Sequence, residues 1–296
     1  MHVPCNGINI GLDSSHGEIN FLSHAHSDHT NGLRRLEQII STNETIELAA
    51  LKAKSTTHPS TKMIDAGHIL GARQLVIEGD GVKTIYTGDF CTKPTIFGFK
   101  ADLPQCDHLI MEATYGDPAY VMPPIEEVHD QIGKWLSSNP SSNLLFGCYE
   151  LGKAQEVIKI LNEFGVAPAV TEKTDRFCSV YEKYGLPLER VVVGSDEGEE
   201  VMSRPFAAIV PMSKAKRYFA ARMAEAFQRK TLCAVVTGWA LHYRFNTDNA
   251  FALSDHADFN DLVYFIEQSG AKKIDFFCGD GSKVLKAVKN EAILNS

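Results

Sequence analysis

Apolar residues in this chain fall into short runs bounded by glycine, proline and acidic turns, and their spacing changes character near Pro124. Before it, Ile19–Ser23 predicts a strand that stops at a cluster of histidines, and Leu33, Leu36 and Ile40 recur at helical spacing, predicting a helix over 30–40. Residues 73–78 and 82–88 predict two strands joined by the turn Gly79-Asp80-Gly81, and His108–Glu112 predicts another strand. Pro118, Pro123 and Pro124 then interrupt the chain. Beyond them the pattern predicts helices near 125–137, 153–164, 175–184 and 215–228, alternating with strands near 143–148, 191–193 and 207–211. Such alternation implies α/β organisation with parallel pairing. A strand at Leu232–Thr237, a helix near 259–269, a strand at 273–277 and a helix near 283–293 complete the prediction.

The 296 residues are 44% hydrophobic and 22% charged, ordinary for a chain with a packed core. No run approaches 18 apolar residues, so no transmembrane helix and no membrane association are expected. No charged segment followed by an apolar run opens the chain, so no secretory signal is expected. Seven cysteines are scattered without a Cys-x-x-Cys pair, which points to reduced thiols and a cytoplasmic protein. A net charge of −8 counts against a broad nucleic-acid surface, although bound cations would add positive charge locally. Basic residues concentrate at Lys214, Lys216, Arg217, Arg222, Arg229 and Lys230, with Glu225 the acid among them.

The densest chemistry is Ser23-His24-Ala25-His26-Ser27-Asp28-His29. A pattern of this kind arises by chance in about one chain in a thousand. Imidazole and carboxylate are the ligands zinc takes outside thiolate sites. His24 and His26, two apart, project to one side of an extended segment, whereas Asp28 and His29 come after them in a turn and can reach a second point. Further candidate ligands stand at strand ends or in loops: His68 in Gly67-His68-Ile69-Leu70-Gly71-Ala72, Asp89 in Thr87-Gly88-Asp89, and His256 in Ser254-Asp255-His256-Ala257-Asp258.

These motifs resemble those of metallo-β-lactamase fold hydrolases. Three further boxes resemble the β-CASP nuclease branch: Met111-Glu112-Ala113-Thr114-Tyr115-Gly116, Gly152-Lys153-Ala154-Gln155-Glu156, and Leu253–Asp258. Thr237-Gly238-Trp239 resembles the DNA-processing members of that branch, the ligase-associated and Artemis-type exonucleases. The resemblance runs from Asp13 to Asp258. It implies an αββα sandwich of two mixed sheets faced by helices, with an inserted α/β cap. The expected division is 1–123 and 231–296 for the metallo-β-lactamase domain and 124–230 for the β-CASP insert. It also implies two zinc ions, with manganese suited to the same N/O donors. His24, His26 and His68 would hold one ion, Asp28, His29 and His256 the other, and Asp89 would bridge them. Asp13 would orient the histidine loop, and Glu112 would hydrogen-bond His256 or a neighbouring ligand.

The implied reaction is hydrolysis of phosphodiester bonds in nucleic acid by a metal-activated water, with Asp28, Asp89, Glu112 and His256 as its catalytic residues and no protein nucleophile. A DNA exonuclease of repair or processing is favoured. An RNA nuclease of the RNase J or mRNA 3′-end processing type, a small-molecule metallo-hydrolase and an inactive nucleic-acid-binding module are the alternatives. Lys153 at a helix start, Ser213 and Thr237 are candidate phosphate contacts. His242 is left without a role.

Overall fold

In the computed structural model, which describes residues 1–288, the first strand alternates exposed and buried side chains, and the next two bury their carboxyl ends. His2–Cys5 pairs antiparallel with Ile8–Leu12, which pairs in parallel with Ile19–Phe21. A second, mixed sheet has the order Lys273–Gly279, His108–Ala113, Val82–Tyr86, Arg73–Gly79, Thr61–Asp65. Its first three strands run in parallel and the last two are antiparallel to their neighbours. The turn expected at 79–81 is tight because Asp80 and Gly81 both take positive φ, 53° and 76°, which lets a two-residue hairpin match the strand twist. Ile10, Leu12 and Phe21 of the first sheet share a buried cluster with Leu75, Ile77, Tyr86 and Ile110 of the second. These elements belong to one compact unit, Met1–Val121 with the chain from Asp255 onward.

The second unit, Met122–Ser254, has its own six-stranded sheet. The order is Val191–Val192, Ala169–Val170, Ala207–Pro211, Asn143–Cys148, Thr231–Val236, Asn249–Phe251, and every pair is parallel. The central strand Asn143–Cys148 is buried at all positions, as a parallel strand covered on both faces must be. Helices Ile125–Ser137, Lys153–Glu163, Glu172–Lys183, Asp196–Met202 and Arg217–Phe227 connect its strands.

Three expectations are corrected. The segment 30–40 is no helix. Gly32 takes φ 82°, Leu33–Arg35 makes a single 3-10 turn, and Leu36 is extended, so Gln38–Ile39 forms a short strand instead. The second unit ends at Ser254 rather than at Lys230, because Thr231–Val236 and Asn249–Phe251 are hydrogen-bonded to its sheet. The last helix covers Ser282–Ala287, and the part expected beyond 288 lies outside the described residues. Among the described residues no helix is long and apolar enough to cross a membrane.

Gly88 closes the strand Val82–Tyr86 at φ 54°, and a Cβ there would stand 2.5 Å from Ser23 Cβ. Gly88→Ala is expected to lose at least about 1–2 kcal/mol from backbone strain alone, read by urea unfolding. Wild-type stability would show that the close approach to Ser23 is not needed.

Candidate metal centre

Three of the candidate groups of the first unit stand at the carboxyl ends of strands from two of its sheets. Ile19–Phe21 leads into His24, Val82–Tyr86 into Asp89, and Glu112 is near the end of His108–Ala113. His68 comes directly after Gly67, whose φ of 73° and lack of a side chain let the chain pass the Cys91 carbonyl, where a Cβ would come within 2.3 Å. His256 precedes helix Phe259–Ser269, which Asp258 caps by accepting the Asp261 N–H. The Ala257 N–H donates to the Phe90 carbonyl at 2.6 Å, and Lys93 Nζ reaches Asp258 at 2.5 Å, so the loops of Asp89 and His256 are tied together.

One nitrogen of each of four imidazoles is committed to a neighbour. His68 Nδ1 lies 2.8 Å from the Asp255 carbonyl oxygen, and since a carbonyl only accepts, that nitrogen carries the proton. His29 Nδ1 donates to Asp13 Oδ2 at 2.6 Å, and His256 Nδ1 donates to Glu112 at 2.9 Å. Ser23 Oγ donates to Asp13 Oδ2 at 2.6 Å and so accepts from His24 Nδ1 at 2.9 Å. His24, His29 and His68 thus turn their Nε2 atoms toward one space. His26 turns Nδ1 there instead, 3.1 Å from His24 Nε2 and 3.2 Å from His68 Nε2. Zinc ligands at about 2.0–2.1 Å in a tetrahedron stand about 3.3 Å apart, so the spacing suits one cation. Asp89 Oδ2 lies 3.4 Å from His24 Nε2, 3.5 Å from His29 Nε2 and 4.0 Å from His68 Nε2, central to the group. Donor atoms of His24, His26, His68 and Asp89 all fall within 4.8 Å of one another, as do those of Asp89, Glu112 and His256.

Electrostatics points the same way. Burial holds His24 well below its ordinary pKa and lowers His68 to about 3, so both rings are neutral and able to ligate. Burial opposes charge on His29 and His256 too. Asp13 and Asp89 nevertheless raise His29 to about 11, and Glu112, with Asp89 behind it, raises His256 to about 10. Burial likewise opposes ionisation of Asp89, yet His24 and His29 keep its carboxyl well below the usual range. In the free protein, protons supply the positive charge that these carboxylates demand, and a divalent cation supplies it in their place.

Asp13 holds more than the histidine loop. At φ 45°, a region an aspartate tolerates, its carboxylate also accepts from the Ser23 N–H at 2.7 Å and from Tyr86 Oη at 2.8 Å. Glu112 is fully buried and accepts from the Phe90 N–H at 2.9 Å and from Thr114 Oγ1. Ser23, Tyr86, Thr114, Lys93 and the Asp255 carbonyl are not singled out by sequence; Ser23, Thr114 and Asp255 are inside the recognised boxes. Cys278 has the one exposed thiol among the described residues, and it bonds Thr114. Desolvation and then the Glu112 and Asp89 carboxylates raise its pKa, so it stays a neutral thiol and suits no nucleophilic role.

Asp28 departs from the expected ligand set. Its side chain is 78% exposed, 3.7 Å from His29 Nε2, and it joins none of the converging groups. The turn at 27–29 carries it outward. The expected phosphate contacts are all in the second unit. Lys153 and Thr237 are buried, and Lys153 Nζ lies 2.5 Å from Glu156, so its charge is already matched. Gly152, at φ 83°, starts the helix with its first turn facing inward. Ser213 and His242 are exposed, Ser213 in the turn Met212–Lys214.

No family model matches the chain. It is similar to a probable DNA ligase of Opitutus terrae, 31% identical over 281 residues, 86% of this chain and 26% of that protein. It is also similar to an RNase J-like protein of Methanocaldococcus jannaschii, 32% identical over 107 residues, 35% of this chain and 25% of that protein. Cleavage and polyadenylation specificity factor 73 of Drosophila melanogaster is 35% identical over 106 residues, 33% of this chain and 15% of that protein. The chain thus spans no more than about a quarter of the length of these curated relatives. Among solved structures, a protein of unknown function from Enterococcus faecalis V583 shares the fold, with a TM-score of 0.58 at 15% identity over 87% of this chain and 74% of that one. The histidine and acidic boxes and the similarity to the RNase J-like protein and to cleavage factor 73 are consistent with the metallo-β-lactamase superfamily and its β-CASP branch.

Two results are expected. Glu112→Gln weakens the acceptor of His256 Nδ1 and lowers metal affinity about 10–100-fold in a chelator competition; unchanged affinity would remove Glu112 from the site. Metal binding must displace the protons on His29 and His256, whose raised pKa values keep both charged at neutral pH. Affinity therefore falls as pH falls, and about two protons leave per chain, measurable by calorimetry in buffers of different ionisation enthalpy. Binding without proton release would contradict this.

Proposed function

We propose that this chain is a zinc-dependent phosphodiesterase that hydrolyses nucleic acid, acting on DNA ends as an exonuclease in repair or processing. The observation that carries the reading is the convergence of the Nε2 atoms of His24, His29 and His68 and of His26 Nδ1 on the Asp89 carboxylate, with His256 in the adjoining group and four Nδ1 atoms committed elsewhere. The donor set fits divalent zinc, and manganese suits the same atoms. His24, His26 and His68 would hold one ion and His29 and His256 the other, with Asp89 between them. When bound, such a pair lowers the pKa of the attacking water and offsets charge developing at phosphorus. Asp89 orients that water. Asp13 and Glu112 keep the Nε2 lone pairs aimed. On this reading the first unit is the αββα sandwich and the second the inserted β-CASP cap. Seven unbridged cysteines support a reducing compartment such as the cytoplasm.

DNA is favoured because the relative matched across most of the chain carries the name of a DNA enzyme, whereas the relatives named for RNA cleavage match about a third of it. Those RNA names keep an RNA nuclease as the second reading. The ligase name itself is not transferred, since only about a quarter of that protein is matched.

The test is a zinc- or manganese-loaded assay on matched DNA and RNA oligonucleotides, with 5′-phosphate and 5′-hydroxyl ends, linear and circular. Linear DNA should be degraded and circles spared. Preferential cleavage of RNA would install the second reading, and activity confined to small esters would overturn both. Asp89→Asn should abolish hydrolysis with the fold retained, and near-normal turnover would contradict its central place.

A further inference from the structure

We infer that the surface where helix Arg217–Phe227 meets the segment 242–246 binds single-stranded nucleic acid by stacking bases on Tyr218 and Tyr243. The inference rests on the reading that this chain acts on nucleic acid, and it adds where and in what form the strand is held. Tyr218 and Tyr243, 69% and 61% exposed, are the most exposed large hydrophobic side chains among the described residues. Rings so exposed add little to a core and leave most of their surface to solvent.

Each tyrosine adjoins an arginine in sequence, Arg217-Tyr218 and Tyr243-Arg244, and all four residues are exposed. The Arg222 guanidinium lies 6.0 Å from the Tyr218 ring centroid, cation–π distance. The two segments are joined: the Arg217 N–H donates to the Asn246 carbonyl at 3.0 Å, and Arg217 Nε lies 3.3 Å from Asp248. Tyr243 is braced from behind, its N–H donating to the Trp239 carbonyl at 2.9 Å and its ring standing edge-on to the Trp239 ring at 5.9 Å. The platform is therefore held in place.

Charge identifies the occupant. No acid occurs from Ser213 to Ala224 or from Leu241 to Thr247, while Lys216, Arg222 and Arg244 fall within these stretches beside Arg217, whose charge Asp248 meets. In a chain of net charge −8, this is a local positive surface. Cations for phosphates interleaved with open rings for bases match a strand whose base faces are free. A duplex hides those faces within its own stack.

The test is fluorescence anisotropy with short oligothymidylate, oligouridylate and a DNA duplex, on the wild-type chain and on the Asp89→Asn background. Binding is then read without turnover, so a chain that hydrolyses nothing still gives an answer. Tyr218→Ala and Tyr243→Ala should each weaken single-strand binding about ten-fold, the loss of one stacked base. Tyr→Phe at either site should keep nearly wild-type affinity, since it keeps the ring. Unfolding temperature and metal content of each variant report that the fold is intact. Equal loss for oligothymidylate and oligouridylate fits stacking, and loss for one alone would add sugar or base recognition to it. The inference is overturned if the double alanine variant binds single strands as the wild type does. It is also overturned if Phe loses as much as Ala, if duplex binding falls in step with single-strand binding, or if the wild-type chain binds no oligonucleotide.

Discussion

The site depends on where a few protons are held. Asp13, Glu112, Ser23 and the Asp255 carbonyl take the Nδ1 protons of four histidines, which leaves the Nε2 atoms of His24, His29 and His68 around Asp89. Positive charge is needed among groups brought this close, supplied by the protons of His29 and His256 in the free protein and by a divalent cation in their place. The buried carboxylates make that cation still more favourable, because in a low dielectric their charge is poorly screened. The surrounding fold serves this one requirement. Two sheets sharing a core bring the ends of strands 19–21, 82–86 and 108–113 to one place, and Gly67 and Gly88 allow the backbone to approach closely there.

The support around the ligands is as built as the ligands themselves. Asp13 serves His29 directly and His24 through Ser23, while Tyr86 holds the same carboxylate from the second sheet. Glu112 joins His256 to the Phe90 N–H, next in chain to Asp89. A change at either acid therefore displaces two parts of the site together.

Much of this grouping was legible in the sequence because the candidate ligands come at short spacings beside residues of restricted conformation. The cluster 24–29, Gly67-His68 and Gly88-Asp89 are local patterns. What was not legible depends on pairing across the fold. Thr231–Val236 reads as a buried strand in either unit, and only its backbone register with Asn143–Cys148 assigns it to the second. Leu33, Leu36 and Ile40 have helical spacing, but Gly32 and the pairing of Gln38–Ile39 with Lys54–Ser55 draw that segment out. A lysine after Gly152 looks ready for phosphate, and nothing local reveals that Glu156 already meets it in a buried turn. Asp28, adjacent to His29 in sequence, points to solvent.

The most direct measurement is the metal content and zinc K-edge absorption of the purified chain. The account predicts about two zinc ions per chain in nitrogen and oxygen coordination, with ligands at about 2.0–2.1 Å. A protein that takes up no divalent cation, or one whose zinc sits among sulfur ligands at about 2.3 Å, would contradict it.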